Sequence, residues 1–155
     1  MKYFLALFIT VILITVNTNA QTSSLSRISV KGNKFVTAEG KSVVFRGLNT
    51  SDPDKLLKAG HWNKEYFEAI KSWGATIVRF PVHPTTWRSQ GRGNYIKLLD
   101  QGIGWATELG LYVIIDWHSI GNLRTEMYQN DSYETTQKET FEFWRTMAKQ
   151  YKDNT

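Results

Sequence analysis

The chain has 155 residues, a formal net charge of +5, 14% aromatic residues with six Trp among them, and no cysteine. The missing thiols exclude disulfides, thiol catalysis and cysteine metal sites, so the folded chain rests on its hydrophobic core. Lys and Arg are scattered among acids with no basic run, which argues against nucleic acid as a partner.

Residues 1–20 read as a secretory leader. Lys2 precedes an apolar stretch from Tyr3 to Val16, and Asn17-Thr18-Asn19-Ala20 follows with a small residue at the expected cut. About 14 apolar residues fall short of the ~20 that a spanning helix needs, so no membrane anchor is expected. The mature protein is then expected to be extracellular, secreted or periplasmic, and its charge falls by one with the loss of Lys2. The polar stretch from Gln21 to Ser26 is expected to be a short disordered lead-in.

Arg27-Ile28-Ser29-Val30 and Phe35-Val36 flank the turn residues Lys31-Gly32-Asn33-Lys34 and predict a β-hairpin. After a second turn at Glu39-Gly40-Lys41, the run from Ser42 to Asn49 reads as the first main strand. Asn63 is suited to cap a helix running to about Trp73, because Tyr66, Phe67, Ile70 and Trp73 recur at helical spacing. Gly74 turns at once into a strand over Thr76 to Pro81. Asn94 predicts the cap of a second helix with Ile96, Leu99, Ile103 and Ala106 on one stripe, and Gly110 ends it where a left-handed cap is preferred. A third strand covers Tyr112 to His118, and a third helix covers about Thr136 to Tyr151.

This β-α-β-α-β-α order predicts a parallel sheet covered by helices. The helix-to-strand turns are single glycines, whereas the strand-to-helix connections run about 12 to 19 residues, against the 2–6 of ordinary βα loops. Elaboration at one end only is the pattern of an α/β sheet or barrel whose strand-end loops build a site. At about 36 residues per unit, three units would make an N-terminal portion of an eight-unit barrel. Residues 27–155 are accordingly read as a partial barrel domain that stops before a fourth strand.

The strand ends carry the chemistry. Alternation places Ile77 and Arg79 on one face of their strand, and Ile114, Asp116 and His118 on one face of the next. An inward Arg needs an acid. Asp116 is one candidate, in a pair that ties two strands together, and a catalytic acid elsewhere is the other. His118 has three readings: a hydrogen bond to substrate, a general base, or a metal ligand. Only His61, His83 and His118 occur, none at a metal-ligand spacing, so no metal and no cofactor are expected. Asp52 and Asp54 beside Pro53, and Glu126 in the third loop, read as solvated or structural acids.

Val43-Val44-Phe45-Arg46-Gly47-Leu48-Asn49, the segment from Trp73 to Pro81, and Leu111-Tyr112-Val113-Ile114-Ile115-Asp116-Trp117-His118 resemble, in order and spacing, glycoside hydrolase family 5, the cellulase and endoglucanase family. The resemblance implies a (β/α)8 TIM barrel that hydrolyses internal β-1,4 linkages of a polysaccharide, cellulose or β-glucan first, with retention. Retention uses two glutamates ~5–5.5 Å apart. It implies that Arg79 supports the nucleophile from the second strand and that His118 lies in the substrate cleft at the third. The acid/base and nucleophile glutamates are implied at the fourth and seventh strands, beyond Thr155, so no catalytic residue is assigned in this chain and the piece alone is expected to be inactive. A non-catalytic carbohydrate-binding barrel, a mannanase or a xylanase are the alternatives.

In such a chain the aromatics suit sugar faces, although core packing is the ordinary alternative for any one Trp. Asn49, His83 and Trp117 are expected to touch the glycan, with Trp87 beside them; for Asn49 a cap on its own turn is the equal alternative. Trp62 reads either as a sugar platform or as a hydrophobic staple on the Asn63 cap. The acceptor patterns at Asn49 and Asn130 are expected to carry no glycan, since one on Asn49 would block the cleft. The expected partner is a polysaccharide, and the full-length protein is expected to be monomeric.

Overall fold

The computed structural model describes residues 25–154; the leader expected over 1–20 lies outside them, as do residues 21–24 of the lead-in. Strands β1 (Ser29–Lys31) and β2 (Lys34–Val36) form the hairpin, turned by Gly32 at φ +62°, and β3 (Ser42–Val43) adds antiparallel to β2. Ser26, expected in a disordered segment, is instead held. Its hydroxyl accepts from the Ala38 N–H at 3.1 Å, and its carbonyl accepts from the Tyr112 hydroxyl at 2.7 Å.

The single strand expected over Ser42 to Asn49 is two strands in two sheets. Strand β4 (Gly47–Asn49) leaves the hairpin sheet and pairs in parallel with β5 (Ile77–Val82), which pairs in parallel with β6 (Tyr112–Trp117). Between them Phe45 drops onto Tyr112, ring centroids 5.1 Å apart, and onto Phe35 at 5.5 Å, while the Arg46 carbonyl accepts from the Thr76 N–H at 2.8 Å. An unbroken apolar pattern cannot report such a change of sheet, because both strands need the same residue types. Gly47 is required there, since a Cβ would overlap the Ile77 carbonyl.

Helix α1 (Pro53–Lys58) follows β4, and α3 (Pro84–Gln90) follows β5, in segments expected to be plain loops. Both begin with Pro at the first helical position, where its missing N–H costs nothing. Helix α2 (Lys64–Ser72) starts at the expected cap, Asn63 accepting from the Tyr66 N–H at 3.0 Å. Helix α4 (Arg92–Glu108) begins at Gly91 and not at Asn94, whose side chain donates to the Gln90 carbonyl inside the first turn. Helix α5 (Gln137–Tyr151) is capped by Thr136, which accepts from Glu139 N–H at 3.1 Å. A short ladder, β7 (Gly121–Asn122) with β8 (Met127–Tyr128), and a 3-10 turn over Asp131–Tyr133 occupy the long connection after β6.

The core lies between the helices and the outer face of the sheet. Val78, Phe80 and Val82 of β5 are fully buried against Phe67 and Ile70 of α2, Tyr95, Leu99 and Ala106 of α4, and Phe143 and Met147 of α5. Trp62 sits inside this layer, 5.3 Å from both Phe67 and Phe80, with its Nε1 donating to the Leu98 carbonyl. Trp62 is the residue before the Asn63 cap and Phe67 lies four positions into the helix, so the pair is the hydrophobic staple and the ring is no surface platform. The inner face, carrying Asn49, Arg79, Ile114 and Asp116, is left for the barrel interior.

Candidate active site

Strand register brings the polar ends together. Asn49 is level with Arg79, and Arg79 with Ile114, so Asp116 and His118 project just beyond Arg79 on the same face. The Thr50 N–H donates to the Arg79 carbonyl at 3.0 Å and the His118 N–H to the Val82 carbonyl at 2.9 Å, which carries both ladders past the strand ends.

Asp116 is the hub. Its Oδ2 accepts from Arg79 Nη2 at 2.6 Å and lies 2.6 Å from His118 Nδ1. Arg79 Nη1 donates to Asn49 Oδ1 at 3.2 Å, so Asn49 is joined to the same network. The guanidinium is thereby gripped on two sides, while the Arg79 side chain as a whole is 32% exposed. Of the two readings of the Arg79 charge, the structure contains the pair with Asp116. Three further guanidinium N–H groups remain for another acceptor.

His83, on the first residue after β5, packs beside this network. Its ring meets the His118 ring edge to face at 5.0 Å and stacks on Tyr133 at 5.5 Å and 22°. Tyr133 also contacts His118 edge-on at 5.5 Å. Sequence reasoning missed Tyr133, which stands on a 3-10 turn started by Asn130; the Asn130 side chain accepts from Ser132 N–H at 3.0 Å. The Asn-Asp-Ser-Tyr order held that signal, since Asn favours such turns.

Asp52 lies beneath His83 and is 1% exposed. Oδ2 accepts from the His83 N–H and lies 2.9 Å from His83 Nδ1, with the Thr86 hydroxyl at 2.7 Å. Oδ1 accepts from the Asp54 N–H and the Tyr95 hydroxyl, each at 2.8 Å. Burial alone would raise this carboxyl, but the His83 N–H, Thr86, the His83 ring and Tyr95 outweigh it and hold Asp52 below the ordinary carboxylate value. Asp52 is thus a buried anion. Asp54 is equally buried and pairs with Lys58. Of the two readings open from the sequence, solvated or structural, both acids take the structural one.

Trp117 and Trp87 lie on the other side of the sheet from Arg79 and His118. The Trp117 indole is 6% exposed, stacks on Phe143 at 4.2 Å and donates from Nε1 to Thr140 Oγ1 at 3.2 Å; Trp87 is 8% exposed and edge-on to the same Phe143. Alternation decides this, since Trp117 falls between the inward Asp116 and His118. Asn49, Arg79, Asp116, His118 and His83 therefore converge, and Trp117 does not join them. Among the described residues no three His, Cys, Asp or Glu side chains gather as a metal centre would require.

Residues 36–155 match the family described as Cellulase (glycosyl hydrolase family 5). The chain belongs to glycosyl hydrolase family 5. Among solved structures it is similar to a β-glucanase from Saccharophagus degradans in complex with cellotetraose, at 48% identity and TM-score 0.78 over 80% of this chain and 37% of that one. It is also 29% identical over 140 residues to endoglucanase A of Butyrivibrio fibrisolvens, covering 83% of this chain and 29% of that protein. An endoglucanase of Paenibacillus polymyxa is 26% identical, with 36% of its length covered. The chain thus spans about a third of the length of these relatives. Strands β4, β5 and β6 are consecutive strands in the N-terminal part of the family's (β/α)8 barrel, and the polar cluster stands at their carboxyl ends, where barrel enzymes hold their sites.

Proposed function

We propose that the full-length protein is a secreted, retaining endo-β-glucanase that hydrolyses internal β-1,4 linkages of cellulose or a related β-glucan. The observation that carries this reading is the Asn49–Arg79–Asp116–His118 network at the strand ends of a family 5 barrel. The 48% identity to a β-glucanase supports the choice of substrate. In this reading the relatives' remaining length corresponds to the part of the protein that supplies the acid/base and nucleophile glutamates.

Each residue here then has a task. Arg79, fixed by Asn49 and Asp116, offers its free N–H groups to the nucleophile carboxylate, keeping it ionised and aligned for attack on the anomeric carbon. His118, fixed through Nδ1, presents Nε2 to a sugar hydroxyl. Pre-set donors and acceptors of this kind need no rearrangement as charge develops in the transition state.

The test is reducing-sugar release by the full-length gene product on cellulose, mixed β-glucan, mannan and xylan. Release from the glucans, with residues 21–155 alone inactive, is the expected result. Release from mannan or xylan only would replace the substrate, and binding without release would replace hydrolysis by carbohydrate binding.

A further inference from the structure

We propose that Asp52 is a positioning residue that locks the His83 ring in its Nδ1–H tautomer, so that Nε2 stands at the site as a hydrogen-bond acceptor for a glycan hydroxyl. This rests on the reading of the strand-end cluster as a glycan site.

The argument begins with the donors around Asp52. An ionised carboxylate only accepts, so the groups on its two oxygens must each supply a hydrogen. Two are backbone N–H groups, of Asp54 and His83, and two are the hydroxyls of Thr86 and Tyr95. The remaining one is His83 Nδ1, at 2.9 Å, which must therefore carry a proton. In a neutral imidazole the proton on Nδ1 leaves Nε2 with a bare lone pair.

The second observation is where that lone pair lies. Nε2 has no hydrogen-bond partner among the described residues, yet it is not sealed in. The one enclosed side-chain N or O without a partner among them is the Tyr128 hydroxyl. The His83 ring is clamped between Tyr133, stacked on its face, and His118, in edge contact. The Asp52 bond fixes the remaining rotation. His118 repeats the device with Asp116 on its own Nδ1. The two aspartate-held imidazoles have ring centroids 5.0 Å apart, and neither Nε2 has a hydrogen-bond partner among the described residues. His83 is 8% exposed, and in the proposal that opening and His118 serve hydroxyls of one sugar ring.

The test uses the full-length protein with 15N-labelled histidine. Long-range proton–nitrogen spectra, assigned against His83→Gln, are expected to show His83 protonated at Nδ1 and bare at Nε2. In Asp52→Asn an amide group must replace one carboxylate oxygen. With the amide oxygen kept on the helix cap, its NH2 faces Nδ1 and forces the opposite tautomer. That variant is expected to show Nε2–H, or a mixture, and to raise KM, or Kd in a binding titration, for cellotetraose about tenfold, the worth of one hydrogen bond. The effect on kcat should be much smaller.

Tyr95→Phe removes a donor from the same carboxylate without facing His83. It should lower Tm while leaving the tautomer as in wild type. Wild-type His83 protonated at Nε2 would overturn the proposal, and that measurement needs no variant to fold. So would an Asp52→Asn protein whose tautomer changes while its cellotetraose affinity does not. Failure of the glucanase reading would appear separately, as absent sugar release with the tautomer intact.

Discussion

Arg79 and His118 share one oxygen: Oδ2 of Asp116 lies 2.6 Å from Arg79 Nη2 and 2.6 Å from His118 Nδ1. Neither side chain is held by a carboxylate of its own, so a change at either end alters the hold on the other. Asp116→Ala is expected to act on both at once and lower kcat/KM about 100-fold, the scale of small misplacements in a reacting site. A double-mutant cycle with His118→Ala in the full-length protein should show clear non-additivity, of ~0.5–3 kcal/mol. Additive losses would mean that Asp116 holds Arg79 alone.

The buried indoles separate stability from binding. Trp62→Ala should destabilise the full-length protein by ~3–5 kcal/mol, the usual cost of emptying an aromatic site in a core. Gly102→Ala should press on the same ring, because a Cβ there would overlap the six-membered ring of Trp62, at ~1–3 kcal/mol. Trp117→Phe loses its hydrogen bond to Thr140 and lowers Tm. Oligosaccharide affinity, measured by titration on the folded fraction, should stay within error of wild type in all three. A weakened affinity in Trp117→Phe would return that ring to the cleft.

The buried Asp52 also sets a dependence on acid. Its carboxyl is held below its ordinary value of 3.8, so the native state favours the anion and the unfolded chain takes up the proton first. The stabilisation is therefore complete above the ordinary value and disappears as pH falls through the lower folded one. Denaturant unfolding between pH 7 and pH 2 should show a steeper acid decline for wild type than for Asp52→Asn. At neutral pH the variant should be weaker by ~1–3 kcal/mol, the cost of mismatched buried donors.

Much of this was legible locally. Asn63, Gly110 and Thr136 mark helix ends through short-range chemistry, and the helices lie where those residues place them. Alternation also put Arg79, Asp116 and His118 on one face, and the same rule, applied to Trp117, puts the indole on the other. What stayed hidden was long-range. Asp52 has partners 31, 34 and 43 residues away, so its burial cannot be seen in an Asp-Pro-Asp segment that reads as a turn. That segment also begins α1, and the proline at its first position was the available signal. The split of Ser42 to Asn49 between two sheets left no local mark except Gly47.

Beneath the strands, Phe45 wedged against Tyr112 and Phe35 gives this barrel segment a floor. Barrel interiors are packed with side chains and are not pores. With this end of the strands filled, the approach to the Arg79–Asp116–His118 network lies at the opposite, loop-bearing end, so the long connections after the strands and not the barrel axis govern what can reach it.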